Sequence, residues 1–111
     1  MNVPGRWIMG LVLAASGFVI TVVDWAHADT QQTTMGEKIY AEKQCTICHA
    51  IQGKGGKLGP ELTDVGAKRD AKWLKTFMRD PKAVLPKAKM LPFHGNAEEL
   101  EALVAYLSSL K

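Results

Sequence analysis

The sequence predicts an all-α fold of three to four helices joined by long loops. Two patterns lead there. Apolar residues recur at helical spacing in three separate stretches, and the segments between them are dense in glycine and proline. No stretch of useful length alternates as a strand would, and no repeat or low-complexity tract appears. A length of 111 residues fits one domain with nothing large attached.

The first 28 residues read as a targeting segment. Residues 7–23 carry no charge, Arg6 precedes them, and Ala26-His27-Ala28 follows. A positive start, an apolar middle and a small-x-small site describe a secretory signal peptide over 1–28. The competing reading is an uncleaved membrane anchor, because the 17-residue run would cover about 26 Å as a helix, the short end of what crosses a bilayer core of about 30 Å. Gly10, Ser16, Gly17 and the pair Ala26 and Ala28 favour cleavage. The folded domain is then expected at 29–111.

A domain of that size has a marginal core and usually needs a staple. Its two cysteines, Cys45 and Cys48, are three positions apart. A disulfide between them would close a tiny loop and constrain little of the unfolded chain. A buried cofactor is the remaining candidate.

Residues 29–34 are polar and are expected to fray. From 35 to 44, Met35, Ile39 and Tyr40 lie opposite Glu37, Lys38, Glu42 and Lys43, which predicts a short amphipathic helix. Residues 52–60 hold Gly53, Gly55, Gly56, Gly59 and Pro60, a loop composition that lets backbone approach something closely. Asp70 is placed to cap a helix over 71–79 with Trp73, Leu74, Phe77 and Met78 on its apolar side, ended by Pro81. With Pro81, Pro86 and Pro92, residues 81–95 are expected to be an extended loop without regular structure. Asn96 followed by Glu99 has the form of a reciprocal helix cap, and Leu100, Leu103, Val104, Leu107 and Leu110 then share one side.

The chemistry concentrates in Cys45-Thr46-Ile47-Cys48-His49. The spacing C-x-x-C-H reads as a c-type haem attachment site. On a helical turn residues three apart share a face, so both sulfurs can reach vinyl groups of one porphyrin while His49 projects toward its iron. A thioredoxin-like C-x-x-C would need a βαβ scaffold, which the pattern lacks. A zinc site would need four ligands. Only Cys45, Cys48, His49 and His94 are on offer after residue 28, and the first three are crowded together.

Further pieces follow in order. Gly36-x-x-x-Tyr40 precedes the C-x-x-C-H turn; after it come Leu58-Gly59-Pro60-x-Leu62, Trp73-Leu74, Lys89-Met90-x-Pro92-Phe93 and Leu103-Val104-Ala105-Tyr106-Leu107. In these the chain resembles the bacterial class I monohaem cytochromes c over 35–110. The resemblance implies a cytochrome c fold wrapped around one covalent haem c. It places Gly36, Tyr40 and Tyr106 where the first and last helices cross. It also implies that the carbonyl of Pro60 accepts a hydrogen bond from His49, which fixes the ring tautomer. An aromatic near Trp73 lines the haem or reaches a propionate in that family; plain core packing is the other reading of Trp73.

For a second axial ligand the candidates are Met35, Met78, Met90 and His94. Met35 and Met78 sit where packing explains them, and His94 reads as a solvated loop histidine. Met90 lies in the proline-rich loop, and its surroundings resemble the family's Met-Pro ligand motif with Leu91 inserted. The expected metal ligands are therefore His49 and Met90, a pairing that raises the reduction potential relative to bis-histidine.

The expected function is a periplasmic electron carrier, not an enzyme, since iron closed on both sides leaves no position for oxygen or peroxide. The alternative is a haem c subunit of a periplasmic oxidoreductase complex. A third reading, a haem enzyme or ligand sensor, requires His49 alone on iron. The chain carries +3 overall, but residues 54–89 hold ten basic against four acidic residues. That field suits redox partner proteins with an acidic docking surface. Nucleic acid is excluded as a partner, because no nucleic-acid motif is present and export would separate the two. Membrane contact is expected only if the N-terminal segment is retained, which would leave the domain anchored and facing the periplasm.

Overall fold

The computed structural model describes residues 23–111; residues 1–22, most of the expected 1–28 targeting segment, lie outside the described residues. In order, the elements are α1 (Val23–Glu42), a 3-10 turn (Cys45–Ile47), β1 (Ala50–Ile51), β2 (Lys54–Gly55), α2 (Val65–Lys68), α3 (Ala71–Arg79), α4 (Pro81–Val84) and α5 (Ala97–Ser109). Among the described residues no helix is long and apolar enough to cross a membrane.

Three helices build the core. Ile39 and Tyr40 come from α1, Leu74 and Met78 from α3, and Leu100, Ala102, Leu103, Val104 and Leu107 from α5, all buried. The crossing of α1 and α5 is set by Gly36. A Cβ there would overlap the carbonyl of Ala102 and the Cβ of Tyr106, so only glycine lets the two backbones come this close. One turn further on, the rings of Tyr40 and Tyr106 meet at 5.8 Å between centroids, tilted by 60°. An ion pair between Lys75 and Glu101 adds a polar tie from α3 to α5.

The helix ends follow local chemistry. Asp70 Oδ1 accepts from the Trp73 N–H at 2.7 Å and starts α3. Asn96 and Glu99 cap α5 reciprocally: the Glu99 N–H donates to Asn96 Oδ1 at 2.8 Å, and the Asn96 N–H donates to Glu99 Oε2 at 2.9 Å. Each satisfies a donor that the first helical turn leaves unpaired.

Four features differ from the sequence expectation. Residues 29–34 are helical as part of α1, with the Thr34 hydroxyl donating to the Thr30 carbonyl at 2.9 Å. The stretch is polar but holds neither proline nor glycine, so nothing in its backbone stops the helix. The loop after the C-x-x-C-H turn contains a two-stranded antiparallel ladder that pairs Ala50 with Gly55 and Ile51 with Lys54. Its two-residue turn, Gln52-Gly53, has φ of 51° and 75°, the left-handed values that such a hairpin requires. A short α2 forms within 65–68. And 81–95 is not wholly irregular: Asp80 accepts from the Ala83 N–H at 3.2 Å, Pro81 occupies the first helical position, and α4 results. Proline ends one helix here and opens the next, as its fixed φ and missing N–H allow.

Gly36→Ala tests the crossing. Alanine gains up to about 1 kcal/mol in helix propensity, but the overlap with Ala102 forces the helices apart at a cost of about 3 kcal/mol. The net expectation is a loss of about 2 kcal/mol, read from denaturant unfolding of the haem-loaded protein; an unchanged midpoint would refute the close approach. Asn96→Ala is expected to cost about 1 kcal/mol in the same measurement.

Candidate functional site

The site begins where α1 stops. The Lys43 N–H still donates to the Ile39 carbonyl at 2.8 Å, but Gln44 takes a left-handed φ of 59° and turns the chain. The next residues close a tight turn in which the Cys45 carbonyl accepts from the N–H groups of Cys48 at 3.2 Å and His49 at 2.9 Å. Cys45, Cys48 and His49 are thereby presented together. Both thiols are free and half-buried, and Cys45 packs against the core. Burial pushes the Cys45 thiol up, its own backbone hydrogen bond pulls it back in part, and nearby Cys48 adds to the rise.

His49 is held by the following loop. Its Nδ1 lies 2.8 Å from the Pro60 carbonyl. A carbonyl only accepts, so Nδ1 carries the proton and Nε2 is left with its lone pair. The backbone of Gly59 lies against the same ring; a Cβ there would sit 2.9 Å from Nδ1. The loop is laced to the turn by two further bonds of 2.7 Å, Gly56 N–H to the Thr46 carbonyl and Gly59 N–H to the Cys48 carbonyl. On the other side the Tyr40 hydroxyl donates to the His49 carbonyl across 3.4 Å. Burial first, then Cys45 and Tyr106, pushes the Tyr40 phenol up to about 12.

Met90 and Trp73 occupy other walls. Met90 is half-buried, packs against the core and lines a cavity of about 490 Å³ between residues 80–82 and 88–92. Trp73 stacks on Phe77 at 4.9 Å and 8°, with the Arg69 guanidinium 4.3 Å from its ring centroid. It also lines a hollow of about 280 Å³ with Asp70, Lys72, Thr76 and Val84. So Cys45, Cys48, His49 and Pro60 are brought together; among the described residues no hydrogen bond or ring contact ties Met90 or Trp73 to His49. Met78 is a buried core residue, and His94 is exposed.

These residues fit a porphyrin iron. Two neighbouring thiols, an imidazole with Nε2 free to coordinate, and apolar side chains at the rim (Ile47, 60% exposed, and Leu58, 84% exposed) suit covalent attachment and an apolar plate. Among the described residues no three His, Cys, Asp or Glu converge to hold a bare metal ion.

Comparison with known proteins agrees. The family described as "Cytochrome c" matches residues 33–111. This chain belongs to the cytochrome c family. As a member it carries one covalent haem c. It is 33% identical to cytochrome c oxidase subunit 2 of Alkalihalophilus pseudofirmus, over 80% of this chain and 30% of that protein. It is 30% identical to the menaquinol:cytochrome c reductase cytochrome c subunit of Bacillus subtilis, over 91% of this chain and 43% of the other. Cytochrome c2 of Blastochloris viridis is 29% identical over 82% of this chain and 87% of its own. The chain thus spans less than half the length of the first two and most of the third. Among solved structures, the c-type cytochrome SorU from Sinorhizobium meliloti superposes with a TM-score of 0.58 at 25% identity, covering 73% of this chain and 92% of that one.

Sequence reasoning missed two contacts of this cytochrome c: the Gly59 backbone on the imidazole and the Tyr40 hydroxyl on the His49 carbonyl. The Leu58-Gly59-Pro60 piece marked the place, but no spacing rule shows which ring a loop glycine touches.

Cys45→Ala and Cys48→Ala are each expected to abolish or sharply reduce covalent haem in the purified protein, read by intact mass and haem stain. Full covalent loading in the Cys48→Ala protein would contradict the attachment.

Proposed function

We infer that the chain is a periplasmic electron carrier in which His49 Nε2 and the Met90 thioether close the haem iron from opposite sides. The observation that carries this reading is the 2.8 Å hydrogen bond from His49 Nδ1–H to the Pro60 carbonyl. It fixes the ring, leaves Nε2 as the nitrogen that can coordinate, and raises the basicity of the ring. Bound haem supplies a one-electron change at iron. The protein's own residues attach it at Cys45 and Cys48, orient the imidazole, and bring a soft sulfur from the proline-rich strap. Trp73 lines the cofactor's wall. A His/Met pair favours ferrous iron relative to two histidines and leaves no coordination position for a substrate, so the role is transfer and not catalysis. Lysines and arginines of the 54–89 segment steer a redox partner with an acidic docking surface.

The functional unit is 29–111, released from a 1–28 leader by cleavage. In support, residues 27–32 are exposed, and packing against α5 starts at Met35 and Gly36. The alternative, a retained membrane anchor that faces the periplasm, differs only in the fate of that leader; intact mass of exported protein separates the two.

A second reading is a haem c subunit of a periplasmic oxidoreductase complex. Two relatives favour it by name, an oxidase subunit 2 and a reductase cytochrome c subunit. A stable complex with a larger partner on sizing at high salt would support it; a free monomer supports the carrier.

Met90→Ala is expected to leave haem attached, lower the potential by on the order of 100 mV, and allow rapid binding of carbon monoxide to the reduced form. An unchanged visible spectrum and potential would move the distal ligand elsewhere.

A further inference from the structure

We propose that Lys43 latches the Met90 strap to the end of α1, which makes Lys43, Phe93 and Glu99 positioning residues for the distal iron ligand. The proposal rests on the reading of Met90 as that ligand.

Lys43 is the last residue whose N–H follows the helical pattern of α1, two positions before Cys45. Its Nζ lies 5.7 Å from the centroid of the Phe93 ring, inside the range at which a cation is held by an aromatic face. The same Nζ is 3.8 Å from Glu99 Oε2. That carboxylate is not free to swing, because it also accepts the Asn96 N–H at 2.9 Å as part of the α5 cap. Phe93 is fixed from the other direction: its N–H donates to the Met78 carbonyl of α3 at 2.8 Å. Gly95 sits between ring and carboxylate; a Cβ there would overlap Glu99 Oε2 and come within 2.6 Å of the Phe93 ring.

The strap that carries Met90 is therefore tied three residues later to α1, α3 and α5 at once. The side chains of Lys43 and Glu99 are 35% and 28% exposed, so water screens the pair only in part. The consequence is mechanical. One lysine joins the segment that bears Cys45, Cys48 and His49 to the strap that bears Met90. How often the strap opens then depends on a contact outside both ligand sets. Stability alone would not need this placement; a latch on the strap predicts a specific effect on access to iron.

The test uses the ferric haem-loaded protein and saturating cyanide, which can bind only after the strap opens. Lys43→Ala is expected to speed cyanide binding about fivefold and Phe93→Leu about tenfold, in line with a half-sheltered cation–aromatic contact. Glu99→Gln keeps the cap and removes the charge; about a twofold increase is expected. Lys43→Arg, which keeps the cation on the ring, should return the rate to within about twofold of the original. In the Met90→Ala background the Lys43→Ala change should no longer matter. Exchange of the Phe93 amide proton should accelerate in parallel in Lys43→Ala. Unchanged cyanide rate and unchanged Phe93 exchange in Lys43→Ala would overturn the latch. If the original protein binds cyanide as fast as Met90→Ala does, the ligand reading fails instead, and Phe93 exchange alone decides: acceleration keeps the latch, no change removes it.

Discussion

Two helix backbones in near contact at Gly36 and Ala102 set the position of everything that follows in α1. Once that crossing is fixed, Ile39 and Tyr40 point into the core, and the helix can end only beside the place where His49 must stand. Tyr40 then does two jobs from one position. Its ring packs against Tyr106, and its hydroxyl reaches the His49 carbonyl. The left-handed Gln44 turns the chain one helical turn beyond this contact. The Cys45–His49 turn is thus carried on the end of a helix whose course is decided by a missing side chain two turns earlier.

What holds the turn itself is of a different kind. From 41 to 73 no residue is fully buried, although Cys45, Ile51, Leu62, Val65 and Trp73 pack against the core. The segment is fixed by backbone lacing: Gly56 to Thr46, Gly59 to Cys48, Leu62 to Ala50, and Gly66 to the Leu110 carbonyl at the end of α5. The hairpin turn is also clamped by side chains, with the Gln52 N–H on the Thr63 hydroxyl and the Gly53 N–H on the Glu61 carboxylate. Each such bond contributes only about 1 kcal/mol net, yet each specifies direction, which apolar burial does not. A ring nitrogen that must aim at one point is better served by directional bonds than by packing alone.

This division explains what was legible in the sequence. The caps at Asp70 and at Asn96 with Glu99 are local, so the starts of α3 and α5 could be read from neighbours in the chain. The C-x-x-C-H turn is local too. The hairpin was not legible because each strand has two residues and its turn is Gln52-Gly53, without the usual Asn-Gly signal. In α4, Pro81 was legible as a stop and not as a start, although Asp80 beside it is a capping residue. The His49 partner Pro60 followed from resemblance, not from pattern. The meeting of Lys43 with Phe93 and Glu99 joins the end of α1 to residues far along the chain, and no periodicity can report it.

The distribution of charge ties these parts to the proposed role. Lys43, Lys68 and Lys75 are each engaged by an acidic partner, Glu99, Asp64 and Glu101. Lys54 and Lys57 on the loop that leads to Pro60, and Lys82, Lys87 and Lys89 around the Met90 strap, are exposed and form no ion pair among the described residues. Lys72 on α3 and Lys111 are exposed and unpaired as well, but the other uncompensated lysines after the C-x-x-C-H turn lie on the two segments that supply the His49 partner and the proposed distal ligand. Screening at physiological salt limits their reach to about 8 Å. Such a field cannot capture a partner from afar, but it can turn one already close. On the proposed reading an acidic surface would be turned toward the segments that carry the cofactor's ligands.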